Sequence, residues 1–170
     1  MNMNRRITFL LGVTLVITTV LSARDSWTIR ESGIGPAKIG MNLSELNRAL
    51  NEKFVKSQAE HEQDCYYLTP TGHDVGFMIL HDKLARVDVD NLGVFTSAGI
   101  QVGDTEKRAL TAYGSRLKVS PHHYDAPEGH YLTAETSDGK FGIRFETWDG
   151  KITRFYAGSS EAIALVEGCQ

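Results

Sequence analysis

The feature that most constrains the fold is a pattern that occurs twice: a glycine-containing lead, a short capped helix, and a run of β-strands. In the first copy the lead spans 33–42, where glycines and Pro36 exclude a helix. Asn42 is a favourable N-cap, and Glu45, three residues later, completes a capping box. An apolar stripe at helical spacing then predicts a helix through about Phe54; its members are Leu43, Leu46, Ala49 and Leu50.

Three strand candidates follow this helix. Residues 65–68 are rich in aromatic side chains, 75–80 form a near-continuous apolar run, and 84–89 alternate between apolar and polar residues. Turns are expected at 69–72 and 81–83, where proline, glycine and polar residues cluster. The first copy is therefore predicted to be one helix followed by a meander of about three strands.

The second copy begins at 99–103, whose glycines echo the earlier lead. Asp104 or Thr105 is expected to cap a helix that ends at Gly114. Its apolar positions are Ala109, Ala112 and Tyr113. Further strands are predicted at 117–119, 130–134, 141–147 and 151–157, the last two joined by a turn at Asp149-Gly150. Residues 151–155 match 83–87 in character at every position.

Together the two copies predict an α+β fold. We expect two diverged helix-plus-antiparallel-meander modules, at about 33–92 and 97–158, within one compact domain spanning 24–170. Their strands can lie edge to edge or face to face, with both helices on one side of the sheet. Residues 161–167 are expected to form a short helix or an extended segment in a C-terminal tail.

Residues 1–23 have the composition of a secretory signal peptide. Arg5 and Arg6 precede the apolar run 7–21, which ends in small residues at Ser22-Ala23. We therefore expect a periplasmic or secreted protein, with an uncleaved signal acting as an anchor as the alternative. After 21 no apolar run approaches the roughly 20 residues that span a bilayer.

The charge of the mature chain argues against nucleic acid as a partner. Removing Arg5 and Arg6 with the signal leaves 16 basic against 21 acidic residues, a formal charge of −5. The remaining Lys and Arg residues are scattered, so no basic stripe is present to neutralise phosphates.

The two cysteines, Cys65 and Cys169, are predicted to form a disulfide, because an even pair in an oxidising compartment is most often bonded. The bond would carry the C-terminal tail back to the first strand of the first module. The alternative is a reactive thiol, but no Cys-x-x-Cys motif supports redox catalysis.

The segment Ile39-Gly40-Met41-Asn42 opens a capped helix that is followed by a cysteine and a strand meander, and the pattern of helix and strands then repeats. This arrangement resembles known modules. It resembles the tandem helix-plus-strands architecture of secreted β-lactamase inhibitor proteins. It is also similar to the single module of small outer-membrane-assembly lipoproteins of the SmpA/OmlA type, whose helix follows a Gly-Met-Thr sequence. Asn42 replaces that threonine, and the second copy reads Gly103-Asp104-Thr105 without a methionine. The resemblance implies the fold and an architecture that serves protein binding.

The densest polar cluster lies in 121–131. Its candidate binding residues are His122, His123, Tyr124, His130 and Tyr131. Imidazole and carboxylate groups are zinc and copper ligands, so a metal site is one interpretation. Adjacent histidines in an extended chain point to opposite faces, however, and Pro127 and Gly129 indicate a loop. We therefore expect a solvated hairpin loop and predict neither a metal nor a cofactor.

Arg86 and Arg154 occupy matching positions in the two final strands of the modules. We expect both on the outward face of the sheet, either as a polar binding surface or as ordinary polar residues of a half-solvated strand. A pair of carboxylates for glycoside hydrolysis stays an alternative; the candidates are Asp88, Asp90, Glu135 and Glu146.

No recognised catalytic motif follows the signal peptide. The chain has no Gly-x-Ser-x-Gly elbow, and Gly33-Ile34-Gly35 lacks the context of a dinucleotide-binding loop. We therefore predict a non-enzymatic exported protein that binds another macromolecule, most simply a protein, in the cell envelope as an inhibitor, immunity or accessory factor. The alternatives are a small periplasmic hydrolase and a metal-binding periplasmic protein.

Overall fold

The computed structural model describes residues 27–57 and 64–169. The predicted signal peptide, 1–23, lies outside the described residues. Within them the chain has the predicted α+β character, with helices and antiparallel sheets. The elements in chain order are β1 (Ile29–Arg30), β2 (Gly33–Ile34), β3 (Ala37–Lys38), α1 (Leu43–Leu50), β4 (Cys65–Leu68), β5 (Gly76–Leu80), β6 (Lys83–Val89), α2 (Glu106–Tyr113), a 3-10 turn (Gly114–Arg116), β7 (Lys118–Pro121), β8 (Gly129–Glu135), β9 (Phe141–Trp148), β10 (Lys151–Ser159) and α3 (Ser160–Ala164).

The strands form two sheets. A small sheet has the order β1-β2-β3, and two of its strands, β2 and β3, lie in the lead 33–42, which was predicted only to be non-helical. The large sheet has seven strands in the order β4-β5-β6-β10-β9-β8-β7, and every neighbouring pair is antiparallel. The two meanders therefore meet edge to edge, through their last strands β6 and β10, rather than face to face.

Both longer helices begin where their caps predict. The Asn42 side chain accepts the backbone N–H of Glu45 while the Glu45 carboxylate accepts the N–H of Asn42, so the predicted capping box is present. Helix α1 ends at Leu50 rather than near Phe54, because Asn51 takes a left-handed conformation with φ 54°. Helix α2 is capped by Thr105, the second of the two predicted candidates.

Each of these helices is joined to the large sheet by the same pair of backbone hydrogen bonds. The N–H of Gly40 donates to the carbonyl of Leu84 at 2.7 Å, and the N–H of Leu84 donates to the carbonyl of Met41 at 2.8 Å. In the second half, Gly103 donates to Ile152 and Ile152 donates to Asp104, both at 2.8 Å. Through these hydrogen bonds, the segment leading into α1 pairs with the first residues of β6, and the segment leading into α2 pairs with the first residues of β10.

The hydrophobic core lies on one face of the large sheet. Leu46 of α1 and Ala109 of α2 are fully buried in the same cluster as alternate residues of the strands. Those strand residues include Phe77, Ile79, Leu84, Val87, Leu132, Ala134, Ile143, Phe145, Ile152 and Phe155. Both helices therefore cover this face, which we call the core face, as predicted. Among the described residues no helix has the length and apolar content to cross a membrane.

The last residues that the structure describes lie on the opposite side of the sheet. Helix α3 is the short terminal helix expected from the sequence, and it contacts β6, β9 and β10. The predicted Cys65–Cys169 disulfide is present and ties the residues after α3 to the edge strand β4. We call α3 together with residues 165–169 the strap.

Candidate functional site

The face opposite the core face is polar, and its side chains form three rows across the strands. We call it the polar face. From the register, the first row contains Tyr67, Met78, Arg86, Gly158 and Gly142. The second contains Gly76, Asp88, Tyr156, Arg144 and Thr133. The third contains Arg154, Glu146 and Tyr131. Charged and tyrosine side chains thus alternate with the buried apolar residues of the same strands.

The strap covers the first row. One glycine makes room for it: a Cβ on Gly142 would lie 2.5 Å from Cδ1 of Ile163 in α3. Gly158 instead allows β10 to lie close to β6, because a Cβ there would be 2.3 Å from the carbonyl oxygen of Ala85.

Arg86 holds the strap to the sheet. Its Nη1 donates to the backbone carbonyls of Ala162, at 3.0 Å, and Leu165, at 2.9 Å. Its Nη2 donates to the Tyr67 hydroxyl at 3.0 Å, and its guanidinium lies over the Tyr156 ring, 4.4 Å from the centroid. The residue is 2% exposed. The guanidinium is therefore shielded from solvent, and its hydrogen bonds are made to groups of the protein.

Asp88 provides the countercharge for Arg86. Its Oδ1 lies 2.9 Å from Nε of Arg86, and both side chains are almost completely buried. Burial raises the pKa of Asp88 above its ordinary value, because desolvation outweighs the opposing effect of the Arg86 guanidinium. Burial also raises the pKa of Tyr67, and the nearby Asp88 carboxylate adds to that rise.

In the third row Arg154 is half exposed, whereas Glu146 and Tyr131 are largely buried. Arg154 forms an ion pair with Asp90 at 2.9 Å, and the two side chains are 39% and 59% exposed. The same row continues through Glu146 to Tyr131, which is buried beneath the Arg144 guanidinium at 5.0 Å from its ring centroid. Arginine side chains thus cover tyrosine rings on this side of the sheet.

His122 packs against the same row. Its Nδ1 accepts the backbone N–H groups of Tyr124 and Asp125, both at 3.2 Å, so the ring proton is on Nε2. Nε2 lies 3.4 Å from Oε2 of Glu146, and the ring is 4.4 Å from that of Tyr131. Only 8% of the residue is exposed, so His122 supports the loop from beneath.

Two aromatic side chains flank this row and are open to solvent. Trp148, at the end of β9, is 56% exposed, and Tyr124, in the loop after β7, is 63% exposed. Strand alternation places Trp148 on the polar face together with Arg144 and Glu146. We call Asp90, Tyr124, Arg144, Trp148 and Arg154 the open patch.

The structure separates the histidines that the sequence grouped together. His122 lies on the polar face, whereas His130 extends from the core face, where its Nδ1 is 2.8 Å from Oε1 of Glu106 on α2. His123 is exposed and packs edge-on against Tyr124. Within 27–57 and 64–169, no group of three or more His, Cys, Asp or Glu residues is arranged to hold a metal ion.

The two matching arginines also have different surroundings. Arg86 lies on the face opposite the core, as expected, but the expectation that this side chain meets solvent is wrong, because the strap buries it. Arg154 is half exposed, as a residue of a solvated strand is expected to be. Arg144 was not among the predicted site residues, although the alternation along 141–148 places it on the same face as Glu146 and Trp148.

A small acidic pocket of about 220 Å³ adjoins the end of the polar face. Its lining includes Asp74, Asp88 and Asp90. Two of the carboxylates named as hydrolase candidates, those of Asp88 and Asp90, therefore share one pocket. Each of them is also paired with an arginine, Arg86 or Arg154.

No family model, curated protein or solved structure matches the chain.

Proposed function

We propose that the chain is a non-enzymatic exported protein that binds a protein partner in the cell envelope through the open patch. The single observation that carries the proposal is a set of solvent-exposed side chains: Trp148 and Arg154 on the polar face of β9 and β10, and Tyr124 in the loop after β7. Tryptophan, tyrosine and arginine are the residues that contribute most to protein interfaces. An inhibitor, immunity or accessory factor is the class of protein that uses such a surface without chemistry of its own.

Export is proposed from the signal-like residues 1–23 and is supported by the disulfide between Cys65 and Cys169. Structural disulfides persist in the periplasm and outside the cell, whereas cytosolic thiols are kept reduced. A mass spectrum of the purified mature protein tests this part. Cleavage after Ala23 and the absence of free thiols are expected; an intact N-terminus with two free thiols would contradict it.

We also propose that the fold arose from two diverged modules. Adding 68 to a residue number converts a position of β6 into the matching position of β10. When the two strands are exchanged in this way, the observed pair of Phe155 and Val89 becomes the pair of Val87 and Ala157, which is also observed. The pair Asp88 and Tyr156 maps onto itself, so an approximate twofold axis would pass through it. The matching helix junctions at Leu84 and Ile152 support the same interpretation. The resemblance to tandem β-lactamase inhibitor proteins is consistent with a protein-binding role, by analogy of architecture.

A small hydrolase is the second candidate. The observation in its favour is that the carboxylates of Asp88 and Asp90 line one pocket and that burial raises the pKa of Asp88. The arginine partners of both carboxylates favour the binding role instead, because each carboxylate is already engaged in an ion pair. An Asp90→Asn variant that loses a hydrolytic activity of the wild type would favour the hydrolase.

The binding proposal is tested by affinity capture from the native envelope fraction with matched variants. The test variant is Trp148→Ala/Arg154→Ala, which removes one aromatic and one cationic side chain from the open patch. The control is Leu110→Ala/Lys107→Ala on exposed positions of α2, which removes one apolar and one cationic side chain from the other side of the sheet. Circular dichroism and a urea titration establish that both variants are folded.

We expect the wild type and the control to retain one stoichiometric partner. The open-patch variant should bind it about 30-fold more weakly, the equivalent of about 2 kcal/mol for the loss of an interface hot spot. Equal retention by all three proteins would overturn the assignment of the patch, and loss of the partner only in the α2 control would move the interface to the helix side.

A further inference from the structure

A cavity of about 650 Å³ lies at the end of the large sheet where β5 begins and β6 ends. Three chain segments enclose it: the stretch from Trp27 to Ile34, the loop at 72–75, and the loop at 92–95. Its volume lies within the range of about 300 to 1,000 Å³ that is typical of small-molecule sites. The open patch contributes none of its lining residues.

The walls of this cavity are held by contacts within the protein. Thr71, next to the first loop, donates from its backbone N–H and from its hydroxyl to the Glu52 carboxylate, at 2.7 and 3.0 Å. In the second loop, the Phe95 carbonyl accepts the N–H of Ile29 at 2.9 Å. Gly93 donates its N–H to the side chain of Gln101 at 3.0 Å. Because each wall is anchored separately by these hydrogen bonds, little further ordering of the walls is needed on binding.

The lining is mainly apolar and aromatic. Ile34 and Val75 are buried at its base, and Trp27 stacks on His73 with ring centroids 3.3 Å apart. Leu92 and Phe95 stand at the mouth, 69% and 43% exposed. An apolar ring or chain that enters the cavity would remove these side chains from water, which stabilises the complex by the hydrophobic effect.

The polar part of the lining carries negative charge. Asp74 is exposed at the edge of the cavity and forms no ion pair with any residue in 27–57 or 64–169. It also lines the neighbouring acidic pocket, where Asp88 and Asp90 are already paired with arginines. Among the residues that the structure describes, no lysine or arginine lines the cavity itself. A positively charged group of a ligand would therefore find one uncompensated carboxylate there.

From this combination we infer that the cavity binds a small apolar amine, with its apolar body against Trp27, Val75 and Phe95 and its ammonium group beside Asp74. The inference is independent of the protein-binding proposal, because it uses a different part of the surface and a different class of ligand.

Three probes of nearly equal shape test it: phenethylamine, phenethyl alcohol and phenylacetate, which are cationic, neutral and anionic at pH 7. Trp27 and Trp148 are the two tryptophans of the chain. A Trp148→Phe protein therefore reports on the cavity alone through Trp27 fluorescence. The amine should bind about three- to fivefold more tightly than the alcohol, as expected for one partly exposed ion pair, and the anion more weakly than either.

Two charge-matched variants identify the carboxylate. Asp74→Asn should abolish the preference for the amine over the alcohol while leaving alcohol binding unchanged. Asp138→Asn, in the exposed turn between β8 and β9, should leave the preference intact. The inference is overturned if the amine gives no saturable change up to about 10 mM. Equal binding of all three probes, or the same effect of both substitutions, also overturns it.

Discussion

Replacing Arg86 by alanine tests whether one buried side chain holds the strap on the sheet. The change removes the ion pair to Asp88 at 2.9 Å and the hydrogen bonds to the carbonyls of Ala162 and Leu165, at 3.0 and 2.9 Å. It also removes the hydrogen bond to the Tyr67 hydroxyl at 3.0 Å. The strap would then be held mainly by the disulfide and by the apolar side chains of α3.

The expected cost follows from what is left behind. Breaking a buried ion pair by deleting one partner costs about 3 to 5 kcal/mol, because the remaining carboxylate stays buried without a countercharge. Each carbonyl that loses its donor adds about 1 kcal/mol or more, although the contributions of neighbouring groups are not additive. We expect the free energy of unfolding to fall by about 4 to 6 kcal/mol, a large part of the about 5 to 15 kcal/mol typical of a domain.

Arg154→Ala is the matched control, because Arg154 occupies the corresponding position of β10. Its ion pair with Asp90 has the same 2.9 Å separation, but the two side chains are 39% and 59% exposed. Solvent screening limits such a pair to about 0 to 1 kcal/mol. Urea unfolding followed by circular dichroism measures both variants. A cost for Arg86→Ala no greater than that for Arg154→Ala would refute the reasoning.

The pH dependence gives a second readout of the same variant. Without Arg86, Asp88 loses the largest effect that opposes its desolvation, so its pKa rises further above the unfolded value, although Arg154 and the Tyr67 hydroxyl still oppose that rise. A carboxyl with a raised folded pKa stabilises the protein while protonated, and that stability is lost as the pH rises through the folded pKa. Arg86→Ala should therefore recover stability relative to the wild type as the pH falls from 7 toward 5. Arg86→Ala/Asp88→Asn should not show this recovery, and a recovery that persists in it would contradict the assignment.

Three further changes test the fold. Removing the disulfide by Cys65→Ala/Cys169→Ala opens a 104-residue link and should cost about 2 to 5 kcal/mol; an unchanged urea midpoint would count against it. Gly142→Ala places a Cβ 2.5 Å from an α3 side chain and should cost about 1 to 3 kcal/mol in thermal unfolding, whereas a neutral result would mean that α3 moves freely. Asn42→Ala and Thr105→Ala each remove a helix cap and should each cost about 1 kcal/mol by urea titration; a cost for only one would show that the helix starts are not equivalent.

Local signals in the sequence determined most of the secondary structure. The capping residues Asn42 and Thr105 mark the starts of α1 and α2 because a side-chain acceptor satisfies backbone N–H groups within three residues. The turn at Asp149-Gly150 takes positive φ angles at both residues, as a tight hairpin requires, and so joins β9 to β10 where predicted. These features depend on neighbours along the chain and are readable without the fold. The end of α1 was harder to predict, because the apolar pattern of the helix extends to Phe54. In the structure Phe54 lies outside the helix, where its backbone N–H and carbonyl form hydrogen bonds with the side-chain amide of Asn47.

Only the tertiary structure decided which side chains of the candidate site meet solvent. Arg86 and Arg154 lie in segments of equivalent pattern, yet the groups that bury Arg86, at Ala162 and Leu165, come from 76 and 79 residues further along the chain. His122 and His130 are close in sequence but lie on opposite faces, because strand pairing determines the face of each side chain. Burial and charge pairing depend on strand order and on where the strap crosses, and the physical forces that set these act between residues far apart in the chain.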